Sequence, residues 1–330
     1  MTINIGLIGC GGIAGEHVKG YLKVAEDARV TAACDVSEEN ARRRSEQAGG
    51  ARIFNDYHEM LAHSDVHAVD ICLPHHLHKD AIVAAANAGK HILCEKPLCL
   101  TLEEAETVQR AVEESGVTLM CAHNQLFLPA VERARQILDE GILGQVYELR
   151  TTDAFYHHRL KPETIGWRGQ SALSGGGELI DTGYHPSYLL LYLAGGEATE
   201  VTAMISSHRL HFLDGEDSAQ ILVRFADGAV GNIVTSWAYD PAANMERFSL
   251  VAERGNMHCQ GDNLYYKLRG DSPVALNLPR VNAYEMEIIA FVSCLRDGRK
   301  PIHTEKDGVA VLKLILGAYQ SAAEKRTIKL

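Results

Sequence analysis

A glycine-rich turn directly after a short apolar run is the feature that most constrains the fold of this 330-residue chain. In such a turn one glycine allows a tight bend, the next lets a pyrophosphate approach the backbone, and a third small residue keeps the following helix close to the sheet. The apolar run at residues 4–8 leads into a turn of the form G-x-G-x-x-A, namely Gly9, Cys10, Gly11, Gly12, Ile13 and Ala14. This spacing predicts a strand, a phosphate-binding turn and a helix whose N-terminus faces the phosphates.

An acidic residue follows the turn at the distance expected of a dinucleotide site. A second strand over residues 30–34 ends at Asp35, about 20 residues beyond Ala14. A carboxylate there accepts hydrogen bonds from the ribose hydroxyls and repels a 2′-phosphate, which predicts NAD rather than NADP. The alternative is a solvated acidic residue in an ordinary strand-to-helix turn, and the glycine spacing favours the dinucleotide site.

Charge and cysteine content exclude several classes of protein. A formal net charge of −11 argues against nucleic acid or an anionic membrane as partner. No apolar run approaches ~18 residues and the N-terminus has no basic and then apolar leader, so a cytoplasmic protein is expected. The eight cysteines form no C-x-x-C pair and no metal-ligand set, which predicts buried thiols without disulfides or zinc.

The first 122 residues alternate between short apolar runs and helical stripes, the pattern of a parallel sheet covered by helices. Strands are predicted at residues 4–8, 30–34, 68–73 and 117–121. Thr101 and Glu104 have the spacing of a capping box, so a helix is predicted to begin there and to end near Gly116. This part of the chain is therefore predicted to be an NAD-binding Rossmann domain.

The pattern changes after residue 122. Strand-like runs at residues 201–206, 218–225, 231–237 and 248–252 follow one another without helices between them, and Asp227-Gly228 is a hairpin signal. We expect residues 123–330 to form an α+β domain with a largely antiparallel sheet, which binds substrate and mediates oligomerisation. A last helix at about residues 307–324 is expected to return to the first domain. The fold class is thus α/β.

A second glycine-rich segment, residues 174–185, precedes a predicted helix. Asp181 and His185 stand four residues apart, so both side chains would share one helical face and point into a cleft. Pro186 removes a backbone donor and should kink or restart the helix. On spacing alone, a hydrogen bond on a helix surface is the favoured explanation of the pair.

These segments, in their order along the chain, resemble the Gfo/Idh/MocA oxidoreductase family. The matching motifs are the turn at Gly9 to Ala14, the segment Pro74-His75-His76-Leu77-His78, the tripeptide Glu95-Lys96-Pro97, Trp167-Arg168, the pattern G-G-G-x-x-x-D-x-x-x-H ending at His185, and Glu216-Asp217. The likeness extends over almost the whole chain. It implies a Rossmann domain joined to an antiparallel-sheet domain, with NAD or NADP as cofactor and a sugar, polyol or cyclic alcohol as substrate.

The resemblance also implies a role for individual residues. Cofactor contacts are expected from Gly9, Gly11, Gly12, Ile13, Ala14, Asp35, Leu73, Pro74, His75, His78, Glu95 and Lys96. Lys96, Asp181 and His185 are the expected catalytic residues. His185 is the first choice for the base that accepts the hydroxyl proton, Asp181 would orient it, and Lys96 would stabilise the developing alkoxide. Whether Lys96 or His185 takes the proton stays open.

Substrate contacts are expected from Asn124, Tyr156, His158, Trp167, Arg168, Trp237 and Tyr284, although Trp237 and Tyr284 are equally explained as core residues. The chain departs from the family pattern at Leu73, His75 and Asn124, and at Tyr188, where an aspartate often follows the catalytic histidine by three. Leu73 and His75 bear on the contacts to the nicotinamide ribose, Asn124 bears on the substrate side, and Tyr188 is expected to alter packing only. No metal centre is expected, because hydride transfer to nicotinamide needs none.

The predicted function is hydride transfer between a hydroxyl-bearing carbon of a sugar, sugar derivative or cyclitol and the nicotinamide of NAD. One alternative is a glycoside hydrolase that uses tightly bound NAD for transient oxidation and elimination. Another is a non-catalytic protein that responds to NAD, which the set of Lys96, Asp181 and His185 disfavours. A homodimer or homotetramer formed through the second domain's sheet is expected.

Overall fold

The computed structural model describes residues 2–62, 65–240 and 245–330, and the chain divides into two units. The first unit comprises Met1–Asn124 and Asn282–Val309, and the second comprises Gln125–Val281 and Ala310–Leu330. The boundary after Asn124 lies close to the one expected at residue 122. The segment 282–309, which the sequence analysis assigned to the second domain, belongs to the first unit.

The first unit contains a six-stranded sheet in which every strand pairing is parallel, in the order β3-β2-β1-β4-β5-β6. The strands are β1 Ile3–Ile8, β2 Ala28–Cys34, β3 Arg52–Phe54, β4 Ala68–Ile71, β5 His91–Cys94 and β6 Leu119–Cys121. The helices are α1 Ala14–Lys23, α2 Glu38–Gln47, α3 Tyr57–Leu61, α4 His78–Asn87, α5 Leu102–Ser115 and α10 Ala283–Asp297. This strand order and the βα alternation are those of a Rossmann fold, as predicted.

Local sequence signals explain where α5 begins and ends. The hydroxyl of Thr101 accepts the backbone N–H of Glu104 at 3.1 Å, and the Glu104 carboxylate accepts the N–H of Leu100 at 2.8 Å. Gly116 ends the helix in the left-handed region at φ +67°. The capping box predicted from the sequence is therefore confirmed.

The packing of α10 against α1 explains why residues after 281 join the first unit. A Cβ built on Gly20 of α1 would lie 2.7 Å from Cβ of Ile288 on α10, so only glycine permits this approach. Ile288, Phe291 and Val292 are buried along the same side of α10. This helix lies in the part of the chain that was assigned to the second domain from the sequence, and its contact with α1 places it in the first unit.

The second unit contains a nine-stranded sheet in the order β14-β13-β12-β11-β7-β10-β9-β8-β15. Its strands are β7 Val146–Ala154, β8 Ala198–Ser206, β9 Ser218–Phe225, β10 Val230–Ser236, β11 Phe248–Ala252, β12 Gly255–Gln260, β13 Asn263–Leu268, β14 Val274–Asn277 and β15 Ile328–Lys329. Its helices are α6 Pro129–Asp139, α7 Ser171–Ser174, α8 Glu178–Asp181 and α9 Tyr184–Ala194, and α11 Glu305–Glu324 ends in it. The pairing of β7 with β10 is parallel and the other pairings are antiparallel, so the largely antiparallel sheet is confirmed.

The helix predicted to carry both Asp181 and His185 is interrupted. Asp181 ends α8 and His185 is the second residue of α9, with Thr182 and Gly183 between the two helices. Because Pro186 has no N–H to give to the Thr182 carbonyl, that carbonyl accepts the N–H of His185 at 2.9 Å instead. The single helical face expected from the four-residue spacing is therefore wrong, and the predicted restart of the helix is confirmed.

All eight cysteines are buried free thiols, as the sequence predicted. Among the described residues, none of the helices combines the length and apolar content that crossing a bilayer requires.

Candidate active site

The glycine turn after β1 has the geometry that its sequence predicts. Gly9 has φ +87°, and a Cβ there would lie 2.6 Å from the carbonyl oxygen of Cys72. At Gly11 and Gly12 an added Cβ would meet no atom within 4 Å. Gly9 is thus required by the backbone, whereas Gly11 and Gly12 leave open space at the start of α1. A pyrophosphate fits such a space, where backbone N–H groups are available.

The carboxylate of Asp35 is fixed by two backbone groups at the end of β2. Its Oδ2 accepts the N–H of Cys10 at 2.7 Å, and its Oδ1 accepts the N–H of Ser37 at 2.8 Å. The first of these bonds ties Asp35 to the glycine turn. On the other side of the turn, the guanidinium of Arg44 donates to the carbonyl of Gly11 at 2.8 Å. The residues present therefore fit the adenosine half of NAD, with an acidic acceptor for ribose hydroxyls beside an open phosphate-binding turn.

The loops after β4 and β5 leave the same edge of the sheet, because all six strands are parallel. The first loop carries Leu73, Pro74 and His75 and leads to His78 at the start of α4, and the second carries Glu95 and Lys96. His78 is fully buried and joins the two loops: its Nδ1 lies 2.6 Å from the Pro97 carbonyl oxygen and its Nε2 lies 2.9 Å from that of Leu73. Burial lowers the pKa of His78, against the opposing effect of the two carbonyls. Its contact with a cofactor stays a prediction.

Glu95 is held through both oxygens of its carboxylate. Oε1 lies 3.1 Å from Nε2 of the buried His17, and Oε2 accepts the backbone N–H of Lys96 at 3.1 Å. The side chain of Glu95 is 12% exposed. The backbone at Lys96 is therefore anchored to the interior of the first unit through Glu95 and His17.

Tyr284 and Asn124, two predicted substrate residues, also belong to the first unit. The side chain of Asn124 is hydrogen-bonded to Tyr284, and the Tyr284 ring lies 6.1 Å from the His17 ring. Burial, with the nearby charge of Glu95, raises the pKa of Tyr284 to about 12. Tyr284 is thus a neutral phenol beside the loop that carries Lys96, and its contact with substrate stays a prediction.

In the second unit His185 is held by a tyrosine that the sequence analysis treated only as a departure. Nδ1 of His185 lies 2.9 Å from the hydroxyl oxygen of Tyr188, which also accepts the backbone N–H of Gln125 at 3.1 Å. Tyr188 is fully buried. The second predicted catalytic residue of this unit, Asp181, accepts a hydrogen bond from Nε of Arg168 at 2.8 Å.

Glycine before α8 allows the backbone that leads into β9 to approach closely. A Cβ on Gly177 would overlap the backbone of Glu216, which directly precedes Asp217 and β9. The Glu216 carboxylate accepts the N–H of Leu179 at 2.8 Å and the hydroxyl of Tyr319 at 3.0 Å. Burial raises the pKa of Glu216. This close packing fixes the segment that ends at Asp181.

The predicted substrate residues of the second unit differ in exposure. The guanidinium of Arg168 lies 4.3 Å over the Trp167 ring and is half-exposed, and the rings of Tyr156 and His158 are 5.0 Å apart. Trp237 is buried in a cluster with Leu210 and Leu213, and its indole N–H donates to the hydroxyl of Thr182 at 2.8 Å. Trp237 therefore supports the link between α8 and α9 from the core, and direct contact with substrate stays a prediction for all five residues.

Family models match both parts of the chain. The model described as an oxidoreductase family with an NAD-binding Rossmann fold matches residues 3–123, and that of the GFO/IDH/MocA C-terminal domain matches residues 131–258. The chain belongs to the Gfo/Idh/MocA oxidoreductase family. The first unit of this family member is thus an NAD-binding Rossmann domain, as the turn and Asp35 predict.

Relatives within the Gfo/Idh/MocA family cover the chain well. Myo-inositol 2-dehydrogenase of Thermotoga maritima is 27% identical over 99% of this chain and 98% of that protein. Levoglucosan dehydrogenase of Pseudarthrobacter phenanthrenivorans is 31% identical over 70% of this chain and 67% of that protein. A solved structure of levoglucosan dehydrogenase in complex with NADH and levoglucosan superposes with a TM-score of 0.90, at 25% identity over 100% of this chain and 99% of that one.

Two buried residues beside the predicted site, His17 and Glu287, were not found from the sequence, and Tyr188 was noted only as a departure from the family pattern. His17 interrupts the apolar stripe of Ala14, Val18 and Tyr21 on α1, and a polar residue within such a stripe is the signal that could have found it. Tyr188 fits the apolar pattern of α9, so its hydrogen bond to His185 has no signature in the sequence.

Proposed function

We propose that this protein is a dehydrogenase that transfers a hydride between a hydroxyl-bearing carbon of a sugar, sugar derivative or cyclitol and the nicotinamide of NAD. The family and the cofactor domain support nicotinamide-dependent oxidoreduction. Relatives named as myo-inositol and levoglucosan dehydrogenases support a ring-shaped polyhydroxylated substrate. NAD supplies the hydride acceptor when it is bound.

The observation that supports NAD over NADP is the fixed carboxylate of Asp35. Two backbone N–H groups hold it beside the glycine turn, where a 2′-phosphate would meet its negative charge. Arg44 lies at the same turn, but its guanidinium is bonded to the carbonyl of Gly11 and to the side chain of Gln47. A preference for NAD follows from this arrangement.

The proposed chemistry needs an acceptor for the hydroxyl proton and a positive charge for the developing alkoxide. Lys96 and His185 serve these two purposes, and which of them takes the proton stays open. Arg168 holds Asp181, so that the carboxylate is fixed at the end of α8. Asn124, Tyr156, His158, Trp167, Trp237 and Tyr284 are the further residues that we propose around the substrate.

The family resemblance also allowed transient oxidation followed by cleavage of a glycoside. The relatives reported above are named as dehydrogenases, which favours net oxidation over that alternative. The two reactions differ in their products. A dehydrogenase accumulates NADH, whereas the hydrolase releases an aglycone and accumulates no NADH.

The test is a panel of myo-inositol, scyllo-inositol, levoglucosan, D-xylose and aryl glycosides, each with NAD or NADP, followed by nicotinamide absorbance and by aglycone release. We expect NADH formation with at least one cyclitol or sugar, and loss of it in Lys96→Ala and His185→Ala variants that still bind NADH. Aglycone release without NADH, or full activity in Lys96→Ala, would contradict the proposal.

We further propose self-association into a homodimer or homotetramer through the nine-stranded sheet. Met204 on β8, Leu222 on β9 and Val251 on β11 lie on one face of that sheet and are half-exposed or more. An apolar sheet face of this kind is commonly covered in an assembly. Size-exclusion chromatography with light scattering tests this, since a monomeric mass would contradict it. A cytoplasmic location remains a prediction, supported by the eight buried thiols.

A further inference from the structure

A buried ion cluster lies beneath the loop that carries Lys96. Nδ1 of His17 on α1 is 3.0 and 2.9 Å from the two carboxylate oxygens of Asp70 on β4, and its Nε2 is 3.1 Å from Oε1 of Glu95. His17 and Asp70 are fully buried. Each nitrogen of one imidazole thus faces a different carboxylate, one on β4 and one in the loop after β5.

The geometry requires a doubly protonated imidazole. An ionised carboxylate only accepts hydrogen bonds, so a ring that bonds carboxylates through both nitrogens donates from both. Burial alone would lower the pKa of His17, but the charge of Asp70 and its hydrogen bond raise it well above its usual value. The resulting imidazolium balances one of two interior negative charges.

The other groups around His17 are neutral. Burial raises the pKa of the Cys72 thiol, whose sulfur lies 3.6 Å from Nδ1 and donates to Asp70 at 3.4 Å. Burial also raises the pKa of Tyr21 on α1, and of Tyr284 and Glu287 on α10. The positive charge of His17 therefore interacts with the carboxylates of Asp70 and Glu95.

We propose that His17 is a positioning residue for Lys96, which acts through Glu95. The imidazolium fixes Oε1 of Glu95, and the other oxygen of the same carboxylate holds the backbone N–H of Lys96. Loss of the Nε2 bond removes one of the bonds that hold the Glu95 carboxylate and loosens the segment that carries the Lys96 amine. The inference rests on the proposed function, because it assigns His17 to the reaction in which Lys96 takes part.

Two substitutions separate this role from a purely structural one. The amide nitrogen of an asparagine lies near the place of Nδ1, and that of a glutamine lies near the place of Nε2. His17→Asn therefore keeps a donor for the fully buried Asp70 and loses the bond to Glu95. His17→Gln keeps the donor for Glu95 and removes the donor that the imidazole gives to Asp70, which leaves Asp70 the weaker bond from the Cys72 thiol.

The two variants should rank in opposite orders for stability and for catalysis. Because Asp70 is fully buried and Glu95 is 12% exposed, His17→Asn should unfold at the higher temperature of the two. It should nevertheless have the lower kcat, reduced on the order of 10- to 100-fold, because a small displacement of a reacting group costs that much. His17→Gln should keep the larger part of kcat. The KM for NAD and the Kd for NADH should change less than about threefold in both.

If His17 has a merely structural role, the more stable variant, His17→Asn, should also have the higher kcat. That result would overturn the proposal. The protonation of His17 is measured separately, by ¹⁵N NMR of the NAD-bound protein labelled at histidine, with the His17→Gln spectrum as assignment. We expect both ring nitrogens of His17 to stay protonated between about pH 6 and 8, where ordinary histidines lose a proton. A neutral ring in that range would overturn the inference even if no sugar in the panel is oxidised. Failure of the whole panel with a persistent imidazolium would count against the proposed function alone.

Discussion

The hydroxyl oxygen of Tyr188 lies 2.9 Å from Nδ1 of His185, one turn earlier in α9. Tyr188 is fully buried, and its hydroxyl oxygen is itself held by the backbone N–H of Gln125. The two rings lie at 78° to each other with their centroids 5.5 Å apart. His185 thus has a fixed ring orientation, supplied by a residue type that departs from the aspartate often found there in the family.

Replacing Tyr188 by phenylalanine should lower kcat by about tenfold and leave the KM for NAD unchanged. The substitution removes only the hydroxyl, so the ring still fills its buried site while the His185 imidazole loses a bond that orients it. Residues that orient a metal-ligating histidine are worth 10- to 100-fold when removed, and we expect the lower end of that range for this metal-free site. Steady-state kinetics with the substrate found in the panel measures the effect.

Tyr192→Phe is the matched control, since it removes a tyrosine hydroxyl from the same helix and leaves the bond between Tyr188 and His185 in place. Equal kcat values for the Tyr188 and Tyr192 variants would show that the hydroxyl of Tyr188 does not assist His185.

Substitutions at the two ends of the glycine turn should affect cofactor binding and folding separately. Gly11→Ala places a methyl group in open space, so the melting temperature of the NAD-free protein should stay within about 2 °C of the parent, as for surface changes below ~0.5 kcal/mol. The same methyl should raise the Kd for NADH by more than about tenfold, because it occupies the approach of the pyrophosphate. Fluorescence titration and thermal unfolding give the two values.

Gly9→Ala should instead lower the stability of the folded protein. Its methyl group would meet the Cys72 carbonyl at 2.6 Å, in a backbone conformation of φ +87° that costs an alanine about 1–2 kcal/mol. We expect a clear fall in the melting temperature without NAD. A Gly9 variant as stable as the parent would contradict the assigned role of this glycine.

The features predicted correctly from sequence depend on residues that are neighbours in the chain. The turn at Gly9, the capping box at Thr101 and the helix restart before Pro186 are each decided within a few residues. The cluster of His17, Asp70 and Glu95 joins positions that are 53 and 78 residues apart, and the parallel pairing of β7 with β10 is equally distant. No local pattern encodes such contacts, because they form only when the strands have taken their order in the sheet.

Asp35→Asn should increase the use of NADP. The asparagine keeps an oxygen that can accept the N–H of Cys10, so the turn retains that bond while the negative charge is lost. Since like charges in contact cost several kcal/mol, the ratio of kcat/KM for NADP to that for NAD should rise on the order of 100-fold. Glu38→Gln, at an exposed carboxylate on α2 that is paired with Arg42, is the control and should leave the ratio unchanged.

Glu287 should make the protein less stable as the pH rises. It is fully buried on α10, and neither of its carboxyl oxygens has a hydrogen-bond partner among the described residues. Burial raises the pKa of Glu287 well above its usual value, against the opposing charge of His17, so the carboxyl is neutral in the folded protein. In the unfolded chain it ionises above about pH 4.3, which favours unfolding by about 1.4 kcal/mol for each further pH unit until the folded pKa is reached.

Glu287→Gln removes this ionisation and keeps the size of the side chain. The free energies of unfolding of variant and parent should therefore be similar near pH 4.5 and diverge in favour of the variant towards pH 8. The stabilisation by His17 changes in the same direction but at higher pH: it is fully present below about pH 6.5 and is lost as the pH rises through the raised pKa of the folded state. Because both proteins contain His17, that contribution cancels in the comparison.

Urea unfolding at four pH values measures the difference, with Glu285→Gln on the partly exposed side of α10 as control. A difference that does not vary with pH would mean that Glu287 is ionised in the folded protein, and the cluster around His17 would then contain a third negative charge.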